Sequence, residues 1–163
     1  MTVTDQLPLQ GSTVVLREAV VDDVPAIVEL LVQDELGASR DRITDTAGLQ
    51  PYLRAFQAVD ADPAHLLLVA ADSGQVVATM QLSFIPGLAR RGALRAQIEA
   101  VRVRQDHRSR GLGAVMFAWA IDESRRRGCA LVQLTTDKSR SDAHRFYERL
   151  GFVVSHEGLK LAL

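Results

Sequence analysis

A short run at residues 105–113, with the sequence Gln-Asp-His-Arg-Ser-Arg-Gly-Leu-Gly, contains residue types that can hold an anion. Gly111 and Gly113 lack Cβ atoms, so the backbone can curve closely around a ligand at these positions. The helical pattern that follows predicts a helix whose first turn offers unpaired N–H groups and a positive dipole end. The run therefore predicts a phosphate or pyrophosphate site built mainly from main chain, although an ordinary glycine-capped loop has the same composition.

Two other kinds of phosphate-binding loop are excluded by the residues around the glycines. A nucleoside triphosphate loop needs Gly-Lys-Ser or Gly-Lys-Thr, whereas Gly113 is followed by Ala114 and Val115. A dinucleotide-binding fingerprint would place a further glycine at the position of Met116. Both alternatives fail on sequence alone.

A second run, residues 142–152, carries Tyr147 ahead of the step Leu150-Gly151-Phe152. Together the two runs resemble the GNAT superfamily of acyl-CoA N-acyltransferases. The acetyl-coenzyme A signature of that family is matched by Arg108, Gly111 and Gly113, and its second signature is matched by Tyr147 with the Leu-Gly-Phe step. The order of elements from residue 13 to 163 also follows the family pattern, so the resemblance covers nearly the whole chain.

Three positions depart from that family pattern. Gln105 stands where many members have proline, and Ser109 stands where many have glycine. Neither change removes the glycines nearest the phosphates. Arg140 stands where the family often has asparagine, so a coenzyme contact made by that asparagine does not transfer to this chain.

The resemblance implies a site for acetyl-CoA as the co-substrate. Val101 and Val103 would pair through main-chain groups with the pantetheine arm, and the same valines are equally good core residues. We favour a phosphate contact for at least one arginine of the run over a role as solvated surface. The residues implied around the pyrophosphate are Arg108, Ser109, Arg110, Gly111, Leu112, Gly113 and Ala114.

Acyl transfer to nitrogen needs an amine without its extra proton, a stabilised oxyanion and a protonated leaving thiolate. Glu99 is the first choice for the general base, because members of the family often place a base there. An exposed strand glutamate and a water relay are the alternatives. Tyr147 is the proposed general acid, with a core aromatic as its alternative. The N–H of Val101 is the proposed oxyanion donor.

The elements that must position these residues follow from the spacing of apolar side chains. Val14 to Arg17 predicts a first strand, followed by a helix capped by Asp22 or Asp23 and ended by Gly37. A second helix is predicted near residues 51–59. Residues 65–71 and 75–85 flank a turn signal at 72–74 and predict an antiparallel hairpin. On the next strand, over residues 93–104, the period of two places Glu99, Val101 and Val103 on one face.

From Gly111 the apolar period becomes helical, and Gly128 suits the end of that helix. Residues 131–136 predict a buried strand, Ala143 to Leu150 a short helix, and residues 152–155 and 159–163 two short final strands. The expected fold class is α/β (α+β), with a GNAT-like mixed, mostly antiparallel central sheet flanked by about four helices.

At 163 residues the chain has the usual length of one domain, so we expect a single domain spanning residues 1–163, and 47% hydrophobic residues supply a continuous core. No run approaches the roughly 18 apolar residues of a membrane helix, and the start lacks a signal-peptide pattern. We therefore expect a cytoplasmic protein with no membrane partner. Cys129 is the only cysteine and is expected to be structural. The histidines lack metal-ligand spacing, so we expect no metal, and we expect His107 on a surface loop.

Charge is distributed unevenly, and this bears on the acceptor. Residues 1–64 hold 11 of the 20 acidic but only 4 of the 19 basic side chains. Acidic residues of a predicted binding loop at 34–48 favour a cationic amine, whereas the arginines of the β-rich middle favour an acid or phosphonate group. The first set is Asp34, Glu35, Asp41 and Asp45, and the second is Arg90, Arg91 and Arg95.

The leading hypothesis is an acetyl-CoA-dependent N-acetyltransferase that passes acetyl directly to a primary amine of a small molecule in a ternary complex. A non-catalytic acetyl-CoA-binding regulatory module and acetylation of a protein or peptide amine are the alternatives. Nucleic-acid binding has the arginines but no recognition motif, and a net charge of -1 does not favour it. The resemblance makes a homodimer plausible without identifying its interface.

Overall fold

The computed structural model describes residues 4–9, 12–33 and 46–162. In this part of the chain six strands form one sheet in sequence order. Each strand is antiparallel to its neighbour except for the last pair, which is parallel. This sheet confirms the predicted fold class. The strands are β1 (Thr4–Leu9), β2 (Ser12–Glu18), β3 (His65–Asp72), β4 (Gln75–Ile85), β5 (Arg95–Val103) and β6 (Leu131–Leu134).

The described residues also form five helices and three 3₁₀ turns. The third helix is one turn long, and Arg90 and Arg91 within it have positive φ angles of 55° and 61°. The helices are α1 (Val24–Val32), α2 (Gln50–Asp60), α3 (Ala89–Gly92), α4 (Leu112–Arg126) and α5 (Ser141–Arg149). The 3₁₀ turns are Val21–Asp23, Thr46–Leu49 and Gln105–His107.

The helices divide between the two faces of the sheet, and each face has its own apolar cluster. On the α4/α5 face, Leu112, Met116 and Phe117 of α4 pack against buried strand residues such as Leu82 and Ile98, and apolar residues of α5 lie at its margin. On the α1/α2 face, α1 and α2 cover residues of β3 in a smaller cluster. The sheet is therefore the middle layer of a three-layer structure.

The predicted hairpin of β3 and β4 is present. Asp72 pairs with Gln75 across a two-residue loop. The loop residues Ser73 and Gly74 have φ angles of 51° and 81°. Positive φ at both central residues is the requirement of a type I′ turn, whose twist matches that of the flanking strands.

Helix α4 ends as the sequence predicts. Gly128 has a φ of 76° and donates its N–H to the carbonyl of Arg125 at 3.0 Å. The N–H of Cys129 donates to the carbonyl of Ser124 at 2.9 Å. These two bonds form a Schellman motif, in which glycine adopts the left-handed conformation and the last helical carbonyls gain partners.

The start of α1 differs from the expected cap. Asp23 occupies the N-cap position but makes no side-chain cap bond. Instead its carboxylate receives the Nη1 of Arg17 at 2.6 Å, the Nη2 of Arg17 at 2.8 Å and the N–H of Val20 at 2.8 Å. Burial opposes ionisation of this carboxyl, but the bonds from Arg17 and Val20 and the charge of Arg17 hold its pKa below the ordinary value. Asp23 therefore ties α1 to β2.

Other expectations were wrong or lie outside the described residues. Strand β1 was not predicted, because its sequence begins with three polar residues and includes Pro8. The expected strands at 152–155 and 159–163 do not form over the described residues 152–162. Gly37 and the acidic residues at 34–45 lie outside the described residues, as does the predicted binding loop except for its end at 46–48. Within the described ranges, no helix has the length and apolar character needed to cross a membrane.

Candidate active site

A β-bulge in β5 separates the residues that sequence periodicity had placed together. Between the pairs Gln81–Glu99 and Thr79–Arg102, β5 contains one residue more than β4. Ala100, inside this step, has a φ of 52°. An extra residue reverses the alternation of side chains beyond it.

The expected common face of Glu99, Val101 and Val103 is therefore wrong. Glu99 lies on the α1/α2 face, opposite Gln81. Val101 and Val103 pack with the cluster of the α4/α5 face. The bulge thus places the candidate base on one face of the sheet and the two valines on the other.

Beyond the first half of β5, the sheet opens between β5 and β6. The parallel pairing covers only four pairs, from Arg95 with Leu131 to Ile98 with Leu134. Near the end of this pairing, the Nε2 of Gln133 donates to the Oε1 of Gln97 at 2.7 Å. The strand pairing between β5 and β6 ends at Ile98 and Leu134, so it does not extend to residues 99–103. An extended ligand with amide groups can pair with a strand edge in the manner of an added strand.

The glycine run, for which the sequence predicts an anion site, lies between β5 and α4. Gly111 caps α4 with a φ of 88°, a conformation that glycine adopts without a Cβ penalty. The first bond within the helix runs from the N–H of Val115 to the carbonyl of Gly111 at 3.1 Å. The preceding amides, at residues 112–114, therefore lie at the positive end of the helix dipole and suit a pyrophosphate.

Arginine side chains connect the cradle to the bulged strand. The Nε of Arg108 donates to the carbonyl of Val103 at 2.9 Å. The Nη1 of Arg102 donates to the carbonyl of Val101 at 2.8 Å. Each carbonyl keeps a second lone pair, so the predicted main-chain pairing of these valines with a pantetheine arm is compatible with both bonds. Arg110 is exposed on the same loop.

His107 corrects the sequence expectation, because it is buried rather than on a surface loop. Its Nδ1 lies 2.8 Å from Asp106 and its Nε2 lies 3.1 Å from Asp72 at the β3–β4 turn. Arg104 completes the network with bonds of 2.8 Å and 3.0 Å to Asp106. The bond from Arg104, followed by the bond from His107, lowers the pKa of Asp106, and the bond from His107 is the largest cause of the lowered pKa of Asp72. This network fixes the start of the cradle against the hairpin.

Tyr147 lies on the α4/α5 face in a cluster of rings. Its centroid is 5.5 Å from those of Phe117 and Phe146 and 6.1 Å from that of Phe152. Burial raises the pKa of the phenol, and the positive charges of Arg140 and Arg102 oppose that rise. The phenol therefore keeps its proton at neutral pH and is available as a donor.

Glu99 is exposed on the opposite face of the sheet, within a polar strip of β5. Arg95 and Gln97 precede it on that face by the alternation of the strand. The Nε of Arg95 is buried and has no hydrogen-bond partner among the described residues. Glu99 therefore lies on the α1/α2 face of the sheet, and Tyr147 lies on the α4/α5 face.

Sequence reasoning missed several members of this site. Arg102, the Gln97–Gln133 bridge and the buried contacts of His107 depend on the bulge or on partners distant in the chain. For His107 the distance is 35 residues. Arg140 was noted only as a departure from the family, and the structure shows that its charge acts on Tyr147. The one available signal was the run of arginines at alternating positions of β5 and its following loop.

Cys129 behaves as the sequence predicts. It is half-buried just before β6, and burial is the main cause of its raised pKa. A thiol with a raised pKa is a poor nucleophile at neutral pH. Among the described residues, no group of three or more histidine, cysteine, aspartate or glutamate side chains could hold a metal ion.

The mixed six-stranded sheet, the bulged β5 and the glycine-capped α4 have the form of the GNAT acyltransferase fold, which similar solved structures share. Residues 26–152 match the family described as Acetyltransferase (GNAT) family. The chain therefore belongs to the GNAT acetyltransferase family. The family resemblance expected from the two sequence runs is confirmed.

Individual relatives agree with this assignment. The chain is 28% identical over 141 residues to an aminoalkylphosphonate N-acetyltransferase of Salmonella typhimurium, with 86% of each chain covered. A transcriptional regulator from Bacillus halodurans C-125 has a similar structure, with 43% identity, a TM-score of 0.88 and coverage of 92% of this chain and 99% of the other. A candidate acetyltransferase from Agrobacterium tumefaciens str. C58 shows 32% identity, a TM-score of 0.77 and coverage of 91% and 99%.

Proposed function

We propose that this protein transfers the acetyl group of acetyl-CoA directly to a primary amine of a small molecule, with both substrates bound at once. The observation that carries the proposal is the bulged end of β5, where the pairing with β6 stops at Ile98 and the chain leads into the glycine-capped α4. Membership of the acetyltransferase family supports the reaction type.

In this proposal the donor lies along the β5 edge on the side of α4 and α5. The amides of residues 112–114 bind the pyrophosphate, with Arg108 and Arg110 as neighbouring cations. Main-chain groups of Val101 and Val103 pair with the amides of the pantetheine arm. The N–H of Val101 stabilises the oxyanion, because the bulge turns the backbone at this point.

The proposed reaction proceeds by attack of the amine nitrogen on the thioester carbonyl carbon. The proton lost by nitrogen passes to Glu99, directly or through a water. As the tetrahedral intermediate collapses, the carbon–sulfur bond breaks and the thiolate receives a proton from Tyr147. The products are an acetamide and coenzyme A, and Glu99 and Tyr147 exchange protons with solvent to return to their starting states.

For the acceptor we propose a small amine that carries an anionic phosphonate or similar group. Arg95 and Glu99 lie on one face of β5, four residues or about 13 Å apart along the strand. Their long side chains can converge on an acceptor whose amine faces Glu99 and whose anion faces Arg95. The relative that acetylates aminoalkylphosphonates agrees with this chemistry.

The test is a measurement of thiol release from acetyl-CoA with a panel of acceptors. The panel contains aminoalkylphosphonates, the matched aminoalkanes without phosphonate, polyamines, aminoglycosides, amino acids and peptides. We expect turnover with an aminoalkylphosphonate, and we expect Arg95→Gln to raise its KM at least about tenfold without raising the KM of the matched aminoalkane. Equal effects on both acceptors would contradict the role of Arg95.

The role of Glu99 is tested by Glu99→Gln across a range of pH. A free amine with a pKa near ~10 is mostly protonated at neutral pH, so loss of the base is expected to reduce turnover most there. The deficit should shrink as the pH approaches the pKa of the amine. Glu18→Gln serves as a control on a different strand, and a deficit independent of pH would point to a structural role for Glu99.

A second candidate function is supported by one comparison. The Bacillus halodurans structure at 43% identity is a transcriptional regulator. A non-catalytic module would retain the cradle and bind acetyl-CoA without transferring its acetyl group. Calorimetric binding of acetyl-CoA together with no thiol release across the whole panel would favour this module, whereas turnover with any acceptor would remove it.

A further inference from the structure

A cavity of about 310 Å³ lies at the end of the sheet remote from the glycine run. It is bordered by the end of β2, the end of α2 and the start of β3. The other end of β3, at Asp72, bonds to His107 beside the glycine run, and the eight residues of this strand span about 25 Å. The cavity shares no residue with the proposed active site. Its volume is at the lower end of the range that small-molecule sites occupy.

Part of the cavity lining is apolar. Phe56 of α2 and Leu66 of β3 are 8% and 7% exposed, so both are part of the packed interior. Val59 and Leu67 are half-buried beside them. These four side chains form a surface on which a short alkyl chain or an aromatic ring can pack out of contact with water.

Acidic side chains border this apolar surface. Glu18 ends β2, Asp60 ends α2, and Asp62 lies two residues beyond Asp60. The side chain of Asp60 makes no hydrogen bond or ion pair with the part of the chain that the structure describes. The C-terminal end of α2 adds the negative end of a helix dipole at the same place. These groups belong to the acidic part of the chain, residues 1–64, whose charge the proposed acetyl transfer does not use.

Two basic side chains also line the cavity, and both have other partners. The Nε of Arg127 donates to the Oε1 of Glu123 at 2.7 Å, and its Nη1 donates to the carbonyl of Pro63 at 3.1 Å. A carboxylate outside the cavity lining therefore offsets part of the charge of Arg127. The Nδ1 of His65 lies 2.8 Å from the Oγ of Ser83. The potential in the cavity is therefore set by its carboxylates, which favour a cation.

We propose that this cavity is a second small-molecule site, which binds an organic ammonium ion carrying a short alkyl chain or an aromatic ring. The ammonium group lies among Glu18, Asp60 and Asp62, where its N–H groups donate to carboxylate oxygens. The apolar part of the ligand packs against Phe56 and Leu67. The two parts of such a ligand match the two parts of the lining.

A metal ion is the competing occupant of an acidic cavity. In the ranges that the structure describes, no group of three or more histidine, cysteine, aspartate or glutamate side chains could hold one. A hard cation such as Ca²⁺ takes six or more oxygen ligands, whereas Phe56, Leu66 and Leu67 supply none. An organic cation uses both the carboxylates and the apolar surface, so the lining favours it over a metal ion.

The first experiment follows the backbone amide NMR signals of the full chain during titration with protonated phenethylamine. We expect saturable shifts at residues of the cavity lining, including Ala19, Phe56 and His65. 2-Phenylethanol lacks the charge and methylammonium lacks the ring, so we expect each to bind at least about tenfold more weakly. The proposal is overturned by the absence of saturable shifts at the cavity, by shifts confined to β5, by equal binding of 2-phenylethanol, or by tighter binding of Mg²⁺ at the same residues.

The second experiment measures the Kd for phenethylamine in variants of the cavity. Asp60→Asn removes one carboxylate and is expected to raise the Kd about threefold to fivefold. Asp22→Asn is the matched control, because Asp22 is exposed near the same end of the sheet but does not line the cavity. Val59→Phe fills the space of the ligand ring and is expected to raise the Kd at least about tenfold without moving signals remote from the cavity. Equal weakening by Asp22→Asn and Asp60→Asn overturns the proposal, as does an unchanged Kd in Val59→Phe. Neither experiment depends on acetyl transfer.

Discussion

Tyr147 is subject to opposing influences on its proton. Burial among three phenylalanine rings raises the pKa of the phenol, while the charges of Arg140 and Arg102 act to lower it. The net rise keeps the hydroxyl protonated at neutral pH, which is the state that a general acid needs. The same two arginines are positioned to favour the phenolate formed when the proton leaves. The residue thus combines a stable resting proton with local compensation for its loss.

Tyr147→Phe is therefore expected to lower kcat by about 100-fold or more while leaving the Kd for acetyl-CoA within about twofold. The ring and its packing are retained, so only the donor is lost. Thiol release gives kcat, and titration calorimetry gives Kd. The chain has one other tyrosine, Tyr52, on the α1/α2 face. Tyr52→Phe is the matched control, and an equal loss of kcat in both variants would remove the acid role of Tyr147.

Ser109 shows why the family often has glycine at its position. Its φ is 59°, in the left-handed region that L-residues other than glycine enter at a cost of about 1–2 kcal/mol. Ser109→Gly removes this cost, but glycine also has greater entropy in the unfolded chain. We therefore expect a net rise of about 1 kcal/mol in the free energy of unfolding. Urea unfolding measures the change. Ser155→Gly, in the exposed C-terminal segment, is the control, and a destabilised Ser109→Gly variant would show that the serine hydroxyl is structurally required.

At the scale of elements, the network around His107 connects the cradle to the β3–β4 hairpin. Asp106 precedes His107 in the 3₁₀ turn, whereas Asp72 is the last residue of β3, in the β3–β4 hairpin. His107→Phe removes both bonds while filling the buried space, so we expect the Kd for acetyl-CoA to rise about tenfold with kcat little changed. His107→Asn retains one polar contact and should recover part of the affinity. His65→Asn is the control, because His65 is bonded to Ser83 and takes no part in the His107 network.

The pH dependence of this network follows from its carboxylates. Asp72 and Asp106 have pKa values below the ordinary value, owing mainly to His107 for the first and to Arg104 for the second. A lowered pKa contributes stability above the unfolded-state value near ~4, and that contribution is lost as pH falls through the folded-state value. These carboxylates therefore stay ionised under mild acid. Loss of acetyl-CoA affinity through their protonation is expected only below about pH 4, as checked by calorimetry in buffers of matched ionic strength.

Elements with local signals were predictable, and those that depend on distant partners were not. The β3–β4 hairpin and α4 follow from turn residues and from apolar spacing within each segment. The bulge at Ala100 was hidden, because alanine gives no sequence sign of a positive φ. The burial of His107 depends on Asp72, 35 residues away. In the final segment Leu159 and Leu161 have a strand pattern, but the described residues 152–162 form no strand, because a pattern within one segment does not supply a hydrogen-bonding partner.

At the scale of the whole molecule, the sheet separates the two halves of the proposed chemistry. The cradle, Val101, Val103 and Tyr147 belong to the α4/α5 side, whereas Glu99 and Arg95 belong to the α1/α2 side. The β5–β6 pairing ends at Ile98, next to the bulge that reverses the strand. The sequence predicts these residues as one site, but their division between two faces required the structure, because one extra residue changes the side of every later one.

This division predicts the order of events in catalysis. With donor and acceptor approaching from different sides, neither substrate has to leave before the other binds. We expect intersecting lines in double-reciprocal plots of initial rate at several fixed acceptor concentrations. A covalent route would give parallel lines and a burst of thiol without acceptor. Its most reactive candidate nucleophile, Cys129, has a pKa raised mainly by burial. The Cys129→Ser variant should therefore retain at least about half of the parent kcat. If this variant is inactive and the double-reciprocal lines are parallel, an acyl-enzyme mechanism replaces direct transfer.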